Sequence, residues 1–111
     1  MKNGLARTRA AEQVWALEVD AKLSGDRPTL LTEEALEPMV ELMLRTRGVR
    51  SAAVTVRERS TAVAVWVSLA AGAAADALRQ ATALVGACAR YAGLTGLTVR
   101  GGRVAEGPAA H

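Results

Sequence analysis

The sequence predicts a single α+β domain, in which two helices cover one face of a four-stranded antiparallel sheet. Three observations lead to this prediction. The chain has 111 residues, 50% of them hydrophobic, which is enough for one core but not for two. Two stretches have the 3.6-residue apolar period of a helix, and four have the alternation or the β-branched content of a strand. Their order is strand, helix, strand, strand, helix, strand.

The first strand is predicted over residues 14–23, where apolar and polar side chains alternate. Such alternation is typical of a strand with one buried face. The buried face would carry Trp15, Leu17, Val19, Ala21 and Leu23. The other face would carry Glu18, Asp20 and Lys22, and we expect these three side chains to be solvated.

The first helix follows Thr32, a plausible N-cap. Its apolar face is predicted to be Leu36, Met39, Val40, Met43 and Leu44. Pro38 would remove a backbone hydrogen bond, so the helix either kinks there or begins near Glu37. Gly48 occupies the place expected for a left-handed glycine at the helix C-terminus.

A hairpin is predicted over residues 48–69, with its turn at residues 57–60, and we expect it to form the middle of the sheet. One face of the hairpin is β-branched and would pack in the core: Val54, Val56, Val63, Val65 and Val67. The opposite face carries small residues and one tryptophan: Ala53, Thr55, Ala62, Ala64 and Trp66.

The second helix is predicted over residues 73–92, long enough at about 1.5 Å per residue to cross the whole sheet. Its apolar positions are Ala77, Leu78, Ala81, Leu84, Val85, Cys88 and Tyr91. Gly93 is a candidate for its C-terminal cap. A last strand begins at Leu97, and Gly101 and Gly102 should bend or bulge it.

This order contains two βαβ units. With right-handed crossovers they give the ferredoxin-like βαββαβ topology, with one sheet face left uncovered. The expected organisation is a flexible basic N-terminal arm at residues 1–10, one domain at residues 11–105 and a flexible tail at residues 106–111.

Charge and composition narrow the classes of function. The net charge of +3 and the pI near 9.8 favour acidic partners only weakly, and the chain lacks the dense basic stripe of a dedicated nucleic-acid binder. A single cysteine excludes an internal disulfide. No apolar run approaches the roughly 18 residues that span a bilayer, and the N-terminus has no secretory signal, so we expect a cytoplasmic protein.

The residues that catalysis needs are scarce. The one histidine is His111, at the very end of the chain, which argues against Ser-His-Asp and Cys-His arrangements. Cys88 lies on the apolar face of a helix and is interpreted as a packing residue. Glu33, Glu37 and Glu41 form an acidic strip typical of a solvated helix face, and there is no CxxC motif. We therefore expect no enzymatic activity, no bound metal and no cofactor.

The uncovered sheet face is the remaining candidate for function. A patch of small residues with one tryptophan and an arginine rim is typical of a protein interface. The predicted interface residues are Ala53, Thr55, Arg57, Ala62, Ala64 and Trp66. RNA binding is the less favoured alternative, since it would need a second aromatic such as Trp15 beside Trp66. A further alternative is an ACT-like sensor that binds a small ligand at a dimer interface, near the loops after the first and third strands.

The segment at residues 31–104 resembles the alkaline shock, or envelope stress response, family and the related domain of its membrane anchor. The matching features are a helix ending in Arg47-Gly48-Val49, the strand that begins at Thr61, Gly72, a long helix closing in Gly93-Leu94, and a Val-rich last strand. The resemblance implies a non-catalytic scaffold that self-associates or docks at the membrane. We accordingly expect a homodimer or larger assembly and a membrane-associated protein as a further partner.

Overall fold

The structure is a computed structural model that describes residues 13–23, 32–57, 62–94 and 96–107. The elements are β1 (Gln13–Leu23), α1 (Glu37–Leu44), β2 (Val49–Arg57), β3 (Ala62–Ala71), α2 (Ala74–Tyr91) and β4 (Leu97–Glu106). Their order confirms the predicted ferredoxin-like topology. The predicted N-terminal arm, most of the hairpin turn and most of the C-terminal tail lie outside the described residues.

The four strands form one antiparallel sheet in the order β2-β3-β1-β4. The two central strands are therefore β3 and β1, and β2 is an edge strand. The expectation that the whole hairpin lies in the middle of the sheet is wrong for β2. The reason is topological, because right-handed crossovers in the two βαβ units insert β1 between β3 and β4.

The hydrophobic core lies between the sheet and the two helices. On β1 the predicted apolar face is buried at Leu17, Val19 and Ala21. The β3 valines are buried on the same side of the sheet, and both helices supply further side chains. The buried helical residues are Met39, Met43, Ala77, Ala81, Val85, Cys88 and Ala89. The alanines of α2 allow a close approach, and Gly102 of β4 lies directly beneath Leu78.

Helix α1 is short, and it begins at Glu37 with Pro38 in its first turn, the second of the two predicted outcomes. Before it, Thr32 Oγ1 accepts a hydrogen bond from the Ala35 N–H at 3.0 Å. Leu44, predicted to be buried, is 49% exposed because the short apolar face ends at Met43. Gly48 has φ +92° as expected.

Gly48 nevertheless does not cap α1, whose C-cap residue is Arg45. Gly48 lies in the turn before β2. The Val49 N–H closes this turn by donating a hydrogen bond to the Thr46 carbonyl at 3.2 Å. A glycine at the third position of such a turn can take a positive φ without strain.

Helix α2 ends in the capping motif predicted from Gly93, which has φ +84°. The Gly93 N–H donates to the Arg90 carbonyl and the Leu94 N–H to the Ala89 carbonyl, the hydrogen-bond pattern of a Schellman motif. The predicted burial of Tyr91 is wrong, since this residue is 84% exposed. At 100° per residue the buried stripe continues from Val85 to Ala89, and Tyr91 points away from it.

Within the described part of the chain, no helix has the length and apolar character needed to span a membrane.

Candidate interaction surface

The sheet face opposite the helices carries most of the residues singled out from the sequence, and we call it the open face. The strand register sets its side chains in rows across β2, β3, β1 and β4. The central row is Ala53, Trp66, Glu18 and Arg103. The next row towards the hairpin turn is Thr55, Ala64, Asp20 and Gly101, and the last is Arg57, Ala62, Lys22 and Thr98.

Glu18 is the buried charge of the open face. It is 5% exposed, whereas Asp20 on the same strand is exposed. The Arg103 Nη2 atom lies 2.6 Å from Glu18 Oε1, and the Arg57 Nη1 atom lies 3.6 Å from Oε2. The expectation that Glu18 is solvated is wrong, because two arginines from the edge strands enclose its carboxylate.

Ala64 explains how Arg57 reaches this carboxylate. Arg57 is in register with Ala62, and Glu18 with Trp66, so Ala64 lies on the diagonal between the two charges. A methyl side chain lets the arginine span β3, and the exposed fraction of Ala64 is 0%. Ala64 therefore offers no contact surface to a partner, although the sequence placed it in the interface.

The other five predicted interface residues keep some exposure. Ala53, Thr55 and Arg57 are exposed on β2, while Ala62 and Trp66 are half-buried on β3. The surface available for contact is therefore concentrated at the β2 side of the sheet, a position that the sequence pattern could not reveal without the strand order.

The two tryptophans lie on opposite faces of the sheet. Trp15 is opposite Leu69 and packs against the hydrophobic core, and its Nε1–H donates a hydrogen bond to the Ala71 carbonyl at 3.1 Å. The register therefore does not place Trp15 beside Trp66. Within the described residues, Trp66 is the only aromatic on the open face, so the stacking pair required by the RNA-binding alternative is not formed.

The two edges of the sheet differ in regularity. β2 pairs with β3 without interruption from Ser51 to Arg57, and its one irregularity lies between Val49 and Ser51. β4 has two irregularities in its pairing with β1, one opposite Ala16 and Leu17 and one opposite Asp20 and Ala21. Among the described residues no strand pairs with the outer side of β2, and an edge strand of this kind can act as a template for another strand.

A hollow of about 410 Å³ lies where the open face meets the hairpin turn. Lys22, Arg57 and Arg100 line it together with Asp20. A second hollow, of about 380 Å³, lies between the turn at Gly48 and α2, and its walls are mainly apolar. Charged groups from several strands converge in the first of these two hollows.

The loops named in the ligand-sensor alternative are only partly described. The loop after β1, at residues 24–31, lies outside the described residues, and the connection after β3 consists of residues 72 and 73 alone. A small-ligand site at these loops stays a prediction.

The remaining candidate groups have structural explanations. Cys88 is 6% exposed, and burial raises the pKa of its thiol, which keeps it protonated and poorly nucleophilic. Glu33, Glu37 and Glu41 are exposed. Across the described residues, no three acidic, histidine or cysteine side chains group as metal ligands would.

Comparisons of the chain with protein-family models, curated proteins and solved structures gave no match. The resemblance to the alkaline shock family therefore stays a prediction.

Proposed function

We propose that this protein is a non-catalytic interaction module that self-associates by pairing the β2 strands of two copies. The observation that carries the proposal is that β2, an edge strand, is regular from Ser51 to Arg57 and has no described strand on its outer side. The resemblance to scaffold proteins of the envelope stress response agrees with such a role, and docking to a membrane-associated protein is the corresponding proposal for a second partner.

The contrast between the two edges supports pairing at β2. An unprotected edge strand is a template for another strand, and proteins usually block it with bulges, prolines or inward-facing charges. β4 carries two such irregularities and the Gly101-Gly102 pair. The regular part of β2, from Ser51 to Arg57, contains neither proline nor glycine, and its only charge is at its end.

The sequence of β2 is compatible with antiparallel self-pairing. A two-fold axis at Ala53, the middle residue of the strand, sets Ser51 opposite Thr55 of the second copy, a favourable polar pair. The irregularity between Val49 and Ser51 limits this regular pairing to residues 51–55, and no arginine lies within that range. Two four-stranded sheets would become one continuous sheet of eight strands.

Pairing of this kind would also give the open face a larger continuous surface. Trp66 is next to Ala53 in the central row, so the row would run from one tryptophan over two alanines to the other tryptophan. Strands lie about 4.8 Å apart, and the two tryptophans would be separated by about 14 Å. The result is a shallow trough lined by alanine, wide enough to receive side chains of another protein.

A lysine at position 53 tests the proposal directly. Ala53 is exposed in the single chain, so Ala53→Lys should fold normally, while a dimer would place two lysines face to face. Like charges about 5 Å apart near a protein surface repel by about 1–3 kcal/mol, which weakens association about 10- to 100-fold. Light scattering after size-exclusion chromatography, over a range of protein concentrations, measures the change.

The matched control is Ala105→Lys, which adds the same charge to an exposed position on the other edge strand. It should leave association unchanged. Mixing the Ala53→Lys and Ala53→Glu variants should restore a dimer, because opposite charges then meet. A wild-type chain that stays monomeric at high concentration, or an Ala53→Lys variant that associates as well as wild type, would contradict the proposal.

Trp66→Glu is a poorer test, although Trp66 is at the centre of the face. Glu18 lies directly opposite Trp66 on β1, and a second carboxylate there would destabilise the single chain. Loss of the dimer would then have two explanations.

A further inference from the structure

From the charges that converge at the hairpin end of the open face, we infer a binding site for a small phosphorylated ligand. The site is the hollow of about 410 Å³ lined by Lys22, Arg57, Arg100 and Asp20. Its volume is within the range of small-molecule sites.

Side-chain size explains why the face is concave at this position. Ala62, on the central strand β3, lies between Arg57 on β2 and Lys22 on β1. The long side chains rise on both sides of the alanine. Arg100 belongs to β4, on the other side of β1. Val99 pairs with Ala21 and Gly101 with Asp20, so Arg100 between them is the extra residue of a β-bulge.

The charges of the hollow are unbalanced. Among the described residues that line it, three cations and one carboxylate leave a formal charge of +2. Arg57 also contacts Glu18, but that carboxylate is already held by Arg103 at the shorter distance of 2.6 Å, compared with 3.6 Å for Arg57. Within the described residues, neither Lys22 nor Arg100 has an ion-pair partner.

The arrangement matches the chemistry of a phosphate monoester. Such a group carries a charge of about −1.5 to −2 at pH 7 and three strong acceptor oxygens. Guanidinium groups donate to phosphate oxygens in pairs, and an ammonium group acts as a third donor. Asp20 would accept a hydrogen bond from a hydroxyl or amine on the rest of the ligand, which favours a phosphorylated small molecule over a bare anion.

NMR titration of the ¹⁵N-labelled protein with inorganic phosphate and with phenyl phosphate, at constant ionic strength, tests this inference. We expect saturable shifts of the amides of Lys22, Ala62 and Arg100 at millimolar phosphate. Lys22→Gln and Arg100→Gln should each weaken binding on the order of tenfold, the effect of losing one charged hydrogen bond. Asp20→Asn should strengthen binding of inorganic phosphate several-fold by removing a like charge, a gain that misfolding could not produce.

Arg45→Gln is the matched control, because it removes one exposed positive charge at the end of α1, on the helix side of the molecule. Equal weakening by Arg45→Gln, or equal shifts with chloride, would show that only general screening is measured and would overturn the inference. The inference would also be overturned if an oligonucleotide displaced phosphate and its affinity fell steeply with salt, since that dependence is typical of binding to a nucleic-acid backbone. All described lining residues of the hollow belong to one chain, so the Ala53→Lys variant should still bind phosphate. A failure of self-association can therefore be distinguished from a failure of ligand binding.

Discussion

Removing the arginines around Glu18 should destabilise the fold more than removing Glu18 itself. The carboxylate side chain is 6% exposed, whereas the Arg57 and Arg103 side chains are 50% and 62% exposed. Arg57 lies 3.6 Å and Arg103 lies 2.6 Å from the Glu18 carboxylate. At an effective dielectric constant of about 20, opposite unit charges at these distances attract by about 5 kcal/mol for Arg57 and about 6 kcal/mol for Arg103. Most of this is offset by the desolvation of Glu18 and by solvent screening of the arginines.

The loss in free energy of unfolding depends on whether the buried carboxylate or an exposed arginine is left without an ion-pair partner. Arg103→Ala should cost about 2–3 kcal/mol and Arg57→Ala about 1 kcal/mol, between the values typical of buried and exposed pairs. The double variant should cost about 1 kcal/mol more than the sum, because a buried Glu18 then has neither arginine. Glu18→Met should stay within about 1 kcal/mol of wild type, since water can solvate both arginines.

Urea unfolding at 25 °C measures these differences as shifts in the midpoint at constant slope. Arg79→Ala is the matched control, because Arg79 pairs with Asp76 on α2 and both side chains are well exposed. Its cost should remain below about 0.5 kcal/mol. The reasoning is refuted if Arg103→Ala costs no more than Arg79→Ala, or if Glu18→Met is as destabilising as Arg103→Ala.

Three further predictions concern packing and pH. A Cβ on Gly102 would lie 3.1 Å from both the Glu18 carbonyl oxygen and the Leu78 Cδ1 atom, so Gly102→Ala should lower the free energy of unfolding by about 1–2 kcal/mol. Gly101→Ala should be near neutral in the same urea assay, because a Cβ there would have nothing within 4 Å. Ala64→Leu should block the path of the Arg57 side chain across β3 to Glu18. A double-mutant cycle should show that Ala64→Leu lowers the free energy of unfolding less in the Arg57→Ala background than in wild type. Burial raises the pKa of the Cys88 thiol, so above about pH 8.5 the unfolded chain loses this proton more readily and stability falls as pH rises. Urea unfolding between about pH 7 and pH 10 should show a shallower fall for Cys88→Ala.

Local periodicity was enough to predict the elements and their order. The alternation on β1 has one buried face, and Gly93 has the positive φ that its place after a long apolar helix predicts. These features depend on residues close together in sequence, so a single chain carries the whole signal. The topology then followed from the rule that crossovers are right-handed.

Positions near helix ends were harder to predict. Leu44 and Tyr91 belong to the predicted apolar faces, yet both are exposed. Leu44 lies beyond the end of the short buried face of α1, and Tyr91 points away from the stripe that α2 buries. A periodic pattern gives the direction of a side chain relative to its own helix, but not whether the sheet still lies beneath it there.

The candidate site depended even more on long-range geometry. Glu18 has the alternation of a solvated strand residue, and nothing within ten residues of it predicts burial. Its environment comes from Arg57 and Arg103, which are 39 and 85 positions away in sequence and belong to the two edge strands. The hairpin pattern likewise could not show which of its strands would be the edge.

Arg57 connects the features of the open face. It ends the free edge strand β2, contacts the buried Glu18 and lines the charged hollow. Arg103 lies closer to the Glu18 carboxylate than Arg57 does, so under our proposal Arg57 would contact a ligand while Glu18 keeps its Arg103 partner. The centre of the face, where the sequence predicted an interface around Trp66, is occupied mainly by the ion pairs of Glu18 with Arg57 and Arg103. The two surfaces that we propose for a partner and for a ligand lie at its margins, along the β2 edge and at the hairpin end.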